Sequence, residues 1–151
     1  MNTELLFNIF NTGILLPWVL LLFLPKWKGT QKMIDWHLPV LILGVAYLLL
    51  LLTDFFISSS GSPVDFFSLS GIKAAFARDE VMLIGWIHYL AFDLFVGMWE
   101  SVDARKNGMS HFLLVPCLIL TLMYGPVGFV LYWVLRQWHV SKAKNEIGVS
   151  K

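Results

Sequence analysis

The stretch VMLIGWIHYLAFDLFVGMW, residues 81–99, decides how this chain is read. It is apolar throughout except for His88 and Asp93, close to its middle. A helix rises about 1.5 Å per residue, so a segment of this length matches the roughly 30 Å hydrocarbon core of a bilayer. The midpoint falls near Leu90, which puts His88 and Asp93 within about 5 Å of mid-depth. An ionised aspartate at a span centre costs about 2.5–3.5 kcal/mol, whereas each Leu or Phe gains only about 0.3–0.6 kcal/mol. Asp93 is therefore expected to face protein rather than lipid, and to be paired, protonated or metal-bound.

Three further apolar runs lie outside this stretch, at about residues 5–24, 38–57 and 112–135. Hydrophobic residues make up 58% of the chain and charged residues 14%, and the apolar excess is gathered into these blocks. A soluble fold of this size has no interior in which to hide them. The expected fold is all-α: one transmembrane domain over 1–151, a bundle of four transmembrane helices. Pro126 stands inside the fourth run, where it predicts a kink, with Gly125 and Gly128 allowing close approach of another backbone. Residues 58–63 read as a Ser/Gly/Pro turn. Residues 64–78 are too polar to span, but Leu69, Ile72 and Phe76 share one helical face, so a short amphipathic helix in the membrane interface is expected there.

Net charge is +1 and there is no basic tract, which excludes nucleic acid as an expected partner. The single cysteine, Cys117, excludes an intrachain disulfide and a cysteine-based zinc cluster, and reads as a small packing residue. Trp18, Trp27, Trp36, Trp133 and Trp138 lie near segment ends and read as interfacial anchors. Four crossings put Lys26, Lys28, Lys32, Arg105 and Lys106 on one side, and Lys73, Arg78, Arg136, Lys142, Lys144 and Lys151 on the other. Five against six leaves orientation undecided. The first apolar run lacks a basic leader and a cleavage site, and the chain lacks a Ser- and Arg-rich transit peptide. A prokaryotic plasma membrane is the expected location.

At 100° per residue, Trp86, Tyr89, Asp93 and Glu100 share one stripe of the third span, within about 60°. His88 lies about 140° from Asp93, so the two meet only if the helix is central and both line one cavity. Intramembrane ionisable groups are functional candidates by default, the bland reading being hydrogen bonds between helices. Asp54, near the end of the second span, reaches interfacial water on the plainer reading, and Glu100, Asp103 and Arg105 read as an interfacial charge cluster. His and Asp five residues apart are not a ligand spacing, so no metal site is expected.

The residues LSGI (69–72) with Phe76, WIHYLAFDLFVG (86–97), Asp103, His111, PCL (116–118) and GPVG (125–128) resemble the abscisic-acid-deficient-4-like family, membrane proteins of plant neoxanthin synthesis with bacterial relatives. The similarity runs from about residue 8 to 133. The family often carries an arginine where this chain has Met98. The resemblance implies a carotenoid isomerisation of the epoxide-to-allene type, in which a proton is delivered to the epoxide oxygen and another removed from carbon, with no redox cofactor. On that implication Asp93 is the acid and His88 the base or orienter, while Trp86, Tyr89, Phe92, Tyr124, Asp54 and Glu100 contact the substrate, a carotenoid or other isoprenoid lipid. No cofactor is called for. Besides membrane lipids, the expected partners are a second copy of the chain or a carotenoid-pathway enzyme. Two other classes remain open: a non-enzymatic carotenoid- or lipid-binding accessory protein, and a small proton-conducting or transporting bundle.

Overall fold

The computed structural model describes residues 2–57 and 65–149, and among these the secondary structure is helical. The helices are α1 (Thr3–Gly13), α2 (Leu15–Phe23), α3 (Lys28–Trp36), α4 (Leu38–Ile57), α5 (Leu69–Phe76), α6 (Asp79–Lys106), α7 (His111–Tyr124) and α8 (Pro126–Val149). The expected turn at 58–63, and residue 64 at the start of the expected interfacial helix, lie outside the described residues. The chain divides into two compact units, residues 1–16 with 37–92, and residues 17–36 with 93–151.

Local chemistry sets the helix ends. The Asn2 side chain caps α1, accepting from Leu5 N at 3.0 Å. α1 and α2 meet at Ile14, four residues after Phe10, whose carbonyl still accepts the Ile14 N–H at 3.0 Å. Pro17 has no N–H for the Gly13 carbonyl and its ring crowds it, which loosens the helix at this joint without ending it. The segment that holds both, Thr3–Phe23, is long and apolar enough to cross a membrane. Asp79 and Glu80 open α6 and Arg105 and Lys106 close it, so charge complements the helix dipole at both ends. Gly108, at φ 66°, then releases the chain, with Met109 N bonded to Ala104 O at 2.9 Å.

Three segments are long and apolar enough to cross a membrane: Thr3–Phe23, Leu38–Phe56 and Asp79–Lys106. Half of the most apolar window of the third is buried, against 22% and 11% for the others, as expected of the segment that carries the polar residues. Large apolar side chains such as Phe23, Phe55, Phe56 and Phe112 are exposed, a pattern suited to lipid rather than water. α5 is shorter than expected at Leu69–Phe76; it keeps Leu69 and Ile72 outward, while the half-exposed Phe76 ring lies against Gly85 of α6. Trp18 departs from its expected role as an interfacial anchor. It is buried with its indole seated where Gly97 has no side chain: a methyl group on Gly97 would meet Trp18 Cη2 at 2.5 Å.

The expected fourth span is also different. Residues 112–135 are broken at Gly125, whose φ is 40°, and Pro126 starts α8 at the first helical position, where its missing N–H costs nothing. The chain then doubles back. A methyl group on Gly128 would lie 2.1 Å from the backbone N of Thr121 and 2.6 Å from its Cα. Seven residues along a straight helix would hold those backbones about 10 Å apart. The partners on α6 tell the same story. Thr121 of α7 meets Glu100, Gly125 at the turn meets Asp93, and Tyr132 and Arg136 of α8 return to Asp103. α7 has 14 residues, about 21 Å, which is short of the roughly 30 Å core. α7 and α8 therefore form a helical hairpin along the second half of α6.

Candidate functional site

The hairpin lies against two buried carboxyl groups of α6, Asp93 at its tip and Glu100 further along. Asp93 is 9% exposed and sits against the turn: a methyl group on Gly125 would stand 2.6 Å from Asp93 Oδ1 and 3.3 Å from Oδ2. Only a residue without a side chain lets the backbone come so close to the carboxyl group, and the positive φ at Gly125 favours glycine for a second reason. The carboxyl group thus lies beside the first turn of α8, whose N–H groups carry the positive end of the helix dipole.

Two turns further along α6 lies Glu100, fully buried, and both its carboxyl oxygens accept from Thr121 Oγ1, at 3.1 and 3.2 Å. Cys117 is buried on the same side of α7. Beyond Glu100, Tyr132 Oη donates to Asp103 Oδ2 at 2.6 Å, while Arg136 donates from Nε to Asp103 Oδ2 and from Nη2 to Oδ1 at 3.3 Å. The expected interfacial cluster of Glu100, Asp103 and Arg105 is thereby divided. Glu100 faces inward to the hairpin, Asp103 is paired with α8, and Arg105 is exposed.

The remaining expected site residues lie elsewhere. In the first unit, His88 is exposed, with its ring 4.6 Å from Phe92 and 5.8 Å from Tyr47, centroid to centroid. Phe92 is itself 58% exposed. Trp86 donates from Nε1 to Asn11 Oδ1 at 3.2 Å and stacks between Phe7 and Tyr89. It also lines a cleft of ≈ 580 Å³ with Phe7, Met82 and Leu83. Asp54 accepts from Arg78, forming an ion pair at the ends of α4 and α6. In the second unit, Tyr124 is exposed next to the turn. Asp93 and Glu100 are thus brought to one hairpin, whereas Asp54, Trp86 and His88 have partners of their own.

Sequence reading missed Thr121, Tyr132 and Arg136. The spacing of Gly125, Pro126 and Gly128 was the available sign, because a chain reversal, unlike a kink, needs both a positive φ and a gap for the returning backbone. Among the described residues, no group of three or more His, Cys, Asp or Glu side chains is placed to hold a metal ion.

The family model described as ABA DEFICIENT 4-like matches residues 5–132. The chain belongs to that family. It is also 30% identical over 138 residues to Protein ABA DEFICIENT 4, chloroplastic, of Arabidopsis thaliana. That alignment covers 86% of this chain and 60% of the plant protein, so the chain spans less than two thirds of the length of that relative. No solved structure matches it.

The ABA DEFICIENT 4-like match ends at Tyr132, so it takes in Asp93, Glu100, Thr121 and the hairpin turn. Arg136, which holds Asp103, stands just beyond it. In this ABA DEFICIENT 4-like chain Met98 is buried, 1% exposed, within the second unit. The position at which the resemblance leads one to expect arginine is here an apolar packing position.

Proposed function

We propose that the protein is a membrane-embedded isomerase of a carotenoid or another isoprenoid lipid, with Asp93 as the proton donor. The observation that carries this reading is the carboxyl group of Asp93, buried halfway along a membrane-length helix and held against a hairpin turn that only glycine permits. Membership of the ABA DEFICIENT 4-like family supports a carotenoid or related isoprenoid as the substrate class. In this reading the hairpin lies within the bilayer, and the substrate approaches from lipid past the exposed Tyr124 beside the turn. Asp93 gives its proton to the epoxide oxygen as the C–O bond breaks. A base takes a proton from carbon as the allene forms, so the product has the mass of the substrate and no oxidant or reductant is consumed. His88 is the proposed base. A membrane location follows from the same reading, with the prokaryotic plasma membrane as the proposed one.

The test is to incubate membranes containing the protein with an epoxy-carotenoid and to look for an isomer of equal mass by chromatography and mass spectrometry. Turnover by the native chain, lost in Asp93→Asn and in His88→Gln while both variants remain extractable and folded, is the expected result. Full turnover by Asp93→Asn ends the proposal.

One observation favours a second reading. At 9% exposure, Asp93 is largely closed off. A carboxyl group that serves only to seat the hairpin suits an accessory protein that binds a carotenoid or lipid without changing it. That reading expects a pigment or lipid that copurifies with the protein chemically unaltered.

A further inference from the structure

We infer that the membrane topology has three crossings with the two ends of the chain on opposite sides, and that the α8 end faces the compartment from which the chain is inserted. This does not depend on what the protein binds or converts.

Thr3–Phe23, Leu38–Phe56 and Asp79–Lys106 each carry the chain across once. The α7–α8 hairpin carries it in and back out on the same side, because Thr121, Gly125 and Tyr132 run down and then up the same half of α6. The connection holding α3, the connection between α6 and α7, and the later part of α8 therefore share one side. The N-terminal end and α5 share the other. Lys26, Lys28, Lys32, Arg105, Lys106, Arg136 and Lys142 fall on the first side, and Lys73 and Arg78 on the second. Counted with four crossings, the same residues divide five against four, which decides nothing. With the hairpin they divide seven against two.

Basic residues flanking spans are held on the side of insertion, and short connections such as these are where the rule acts. The acidic residues weigh little in it. α3 agrees with this placement: Lys28 and Lys32 are exposed on it and Thr30 and Ile34 are buried. Trp27 and Trp36 stand exposed at its two ends, as in a helix lying along a headgroup layer.

The experiment labels single cysteines with a membrane-impermeant maleimide in sealed vesicles of known sidedness. Glu4→Cys, Lys28→Cys and Lys142→Cys are made at exposed positions in the native chain, where buried Cys117 serves as the unlabelled control. Labelling of Lys28→Cys and Lys142→Cys from the insertion side, and of Glu4→Cys from the far side, is expected. Labelling of Glu4→Cys and Lys142→Cys from the same side restores an even number of crossings and overturns the inference. Opposite labelling with the sides exchanged overturns the charge argument. Fluorescent-protein and phosphatase fusions at the C-terminal end give a second readout: fluorescence with no phosphatase activity is expected, and the reverse overturns it.

Discussion

Gly128 packs against the backbone of Thr121, seven residues before it, so tightly that a single methyl group does not fit between α7 and α8. The contact holds the hairpin closed. It is made by backbone on both sides, with the short Thr121 hydroxyl beside it, so neither can swing away.

Gly128→Ala is expected to destabilise the hairpin by about 1–3 kcal/mol, the usual cost of forcing atoms into a packed interior. Alanine is the better helix former by about 1 kcal/mol, so the sign itself is informative. Unfolding of the purified protein in mixed detergent micelles measures it. A stabilised variant would mean that the two helices are not in contact.

Thr121→Val removes the hydroxyl that both Glu100 carboxyl oxygens accept from, with little change in volume. A loss of about 0.6–2 kcal/mol is expected, in the range found for hydrogen bonds between membrane helices. Thr121→Ser, which keeps the hydroxyl, should lose less. The comparison of the two variants in the same unfolding titration separates the bond from the packing of the methyl group.

Arg136 grips Asp103 with two donors, Nε and Nη2. Arg136→Ala should destabilise the hairpin measurably, because Asp103 loses both donors and the charge that pairs it. Arg136→Lys should recover only part, because an ammonium lacks the planar fork. Recovery of full stability by lysine, measured as thermal loss of helicity, would show that charge alone matters there.

Asp65 sets a pH dependence ahead of α5. The Ser68 hydroxyl and the Phe67 N–H, 2.9 Å from Oδ1, hold its carboxyl group below the ordinary value of 3.8. A lowered value in the folded state means that the ionised form stabilises this turn at pH above 3.8, and that the contribution is lost as pH falls through the lowered value. Amide exchange at Phe67 is therefore expected to stay slow from pH 8 to 5 and to quicken, relative to the intrinsic rate, in stronger acid. Asp65→Asn should remove that acid limb. An unchanged profile in the variant would assign the effect to another group.

The third span was the most legible part of the chain. Its existence as a membrane-length helix and its inward-facing Asp93 follow from hydrophobic pattern and the cost of a buried charge. The structure lengthens it to Asp79–Lys106, because long basic side chains and first-turn acids extend a helix past the hydrocarbon without penalty. The hairpin was not legible for the opposite reason. Residues 112–135 are apolar on both sides of Gly125, and hydrophobicity has the same value whether a segment crosses or returns. What separates the two is the positive φ at Gly125 and the fit of Gly128 on Thr121, both settled by tertiary contacts. The same holds at the site. Asp93 and Glu100 announce themselves by charge, whereas Thr121 and Tyr132 are ordinary span residues until the fold supplies their partners. Trp18 is a third case: a tryptophan near a segment end reads as an anchor, and only the missing side chain of Gly97 reveals where the indole goes.

A helix that crosses a bilayer is locked there, because either polar flank would have to be dragged through hydrocarbon for it to leave. The α7–α8 hairpin carries no such lock. With both flanks in the same aqueous phase, it can be added last, as a wedge pushed in beside spans already threaded. What keeps the wedge in place is then its grip on the spanning helices beside it, so a weakened grip would show first as withdrawal of this piece while the rest of the protein stays embedded.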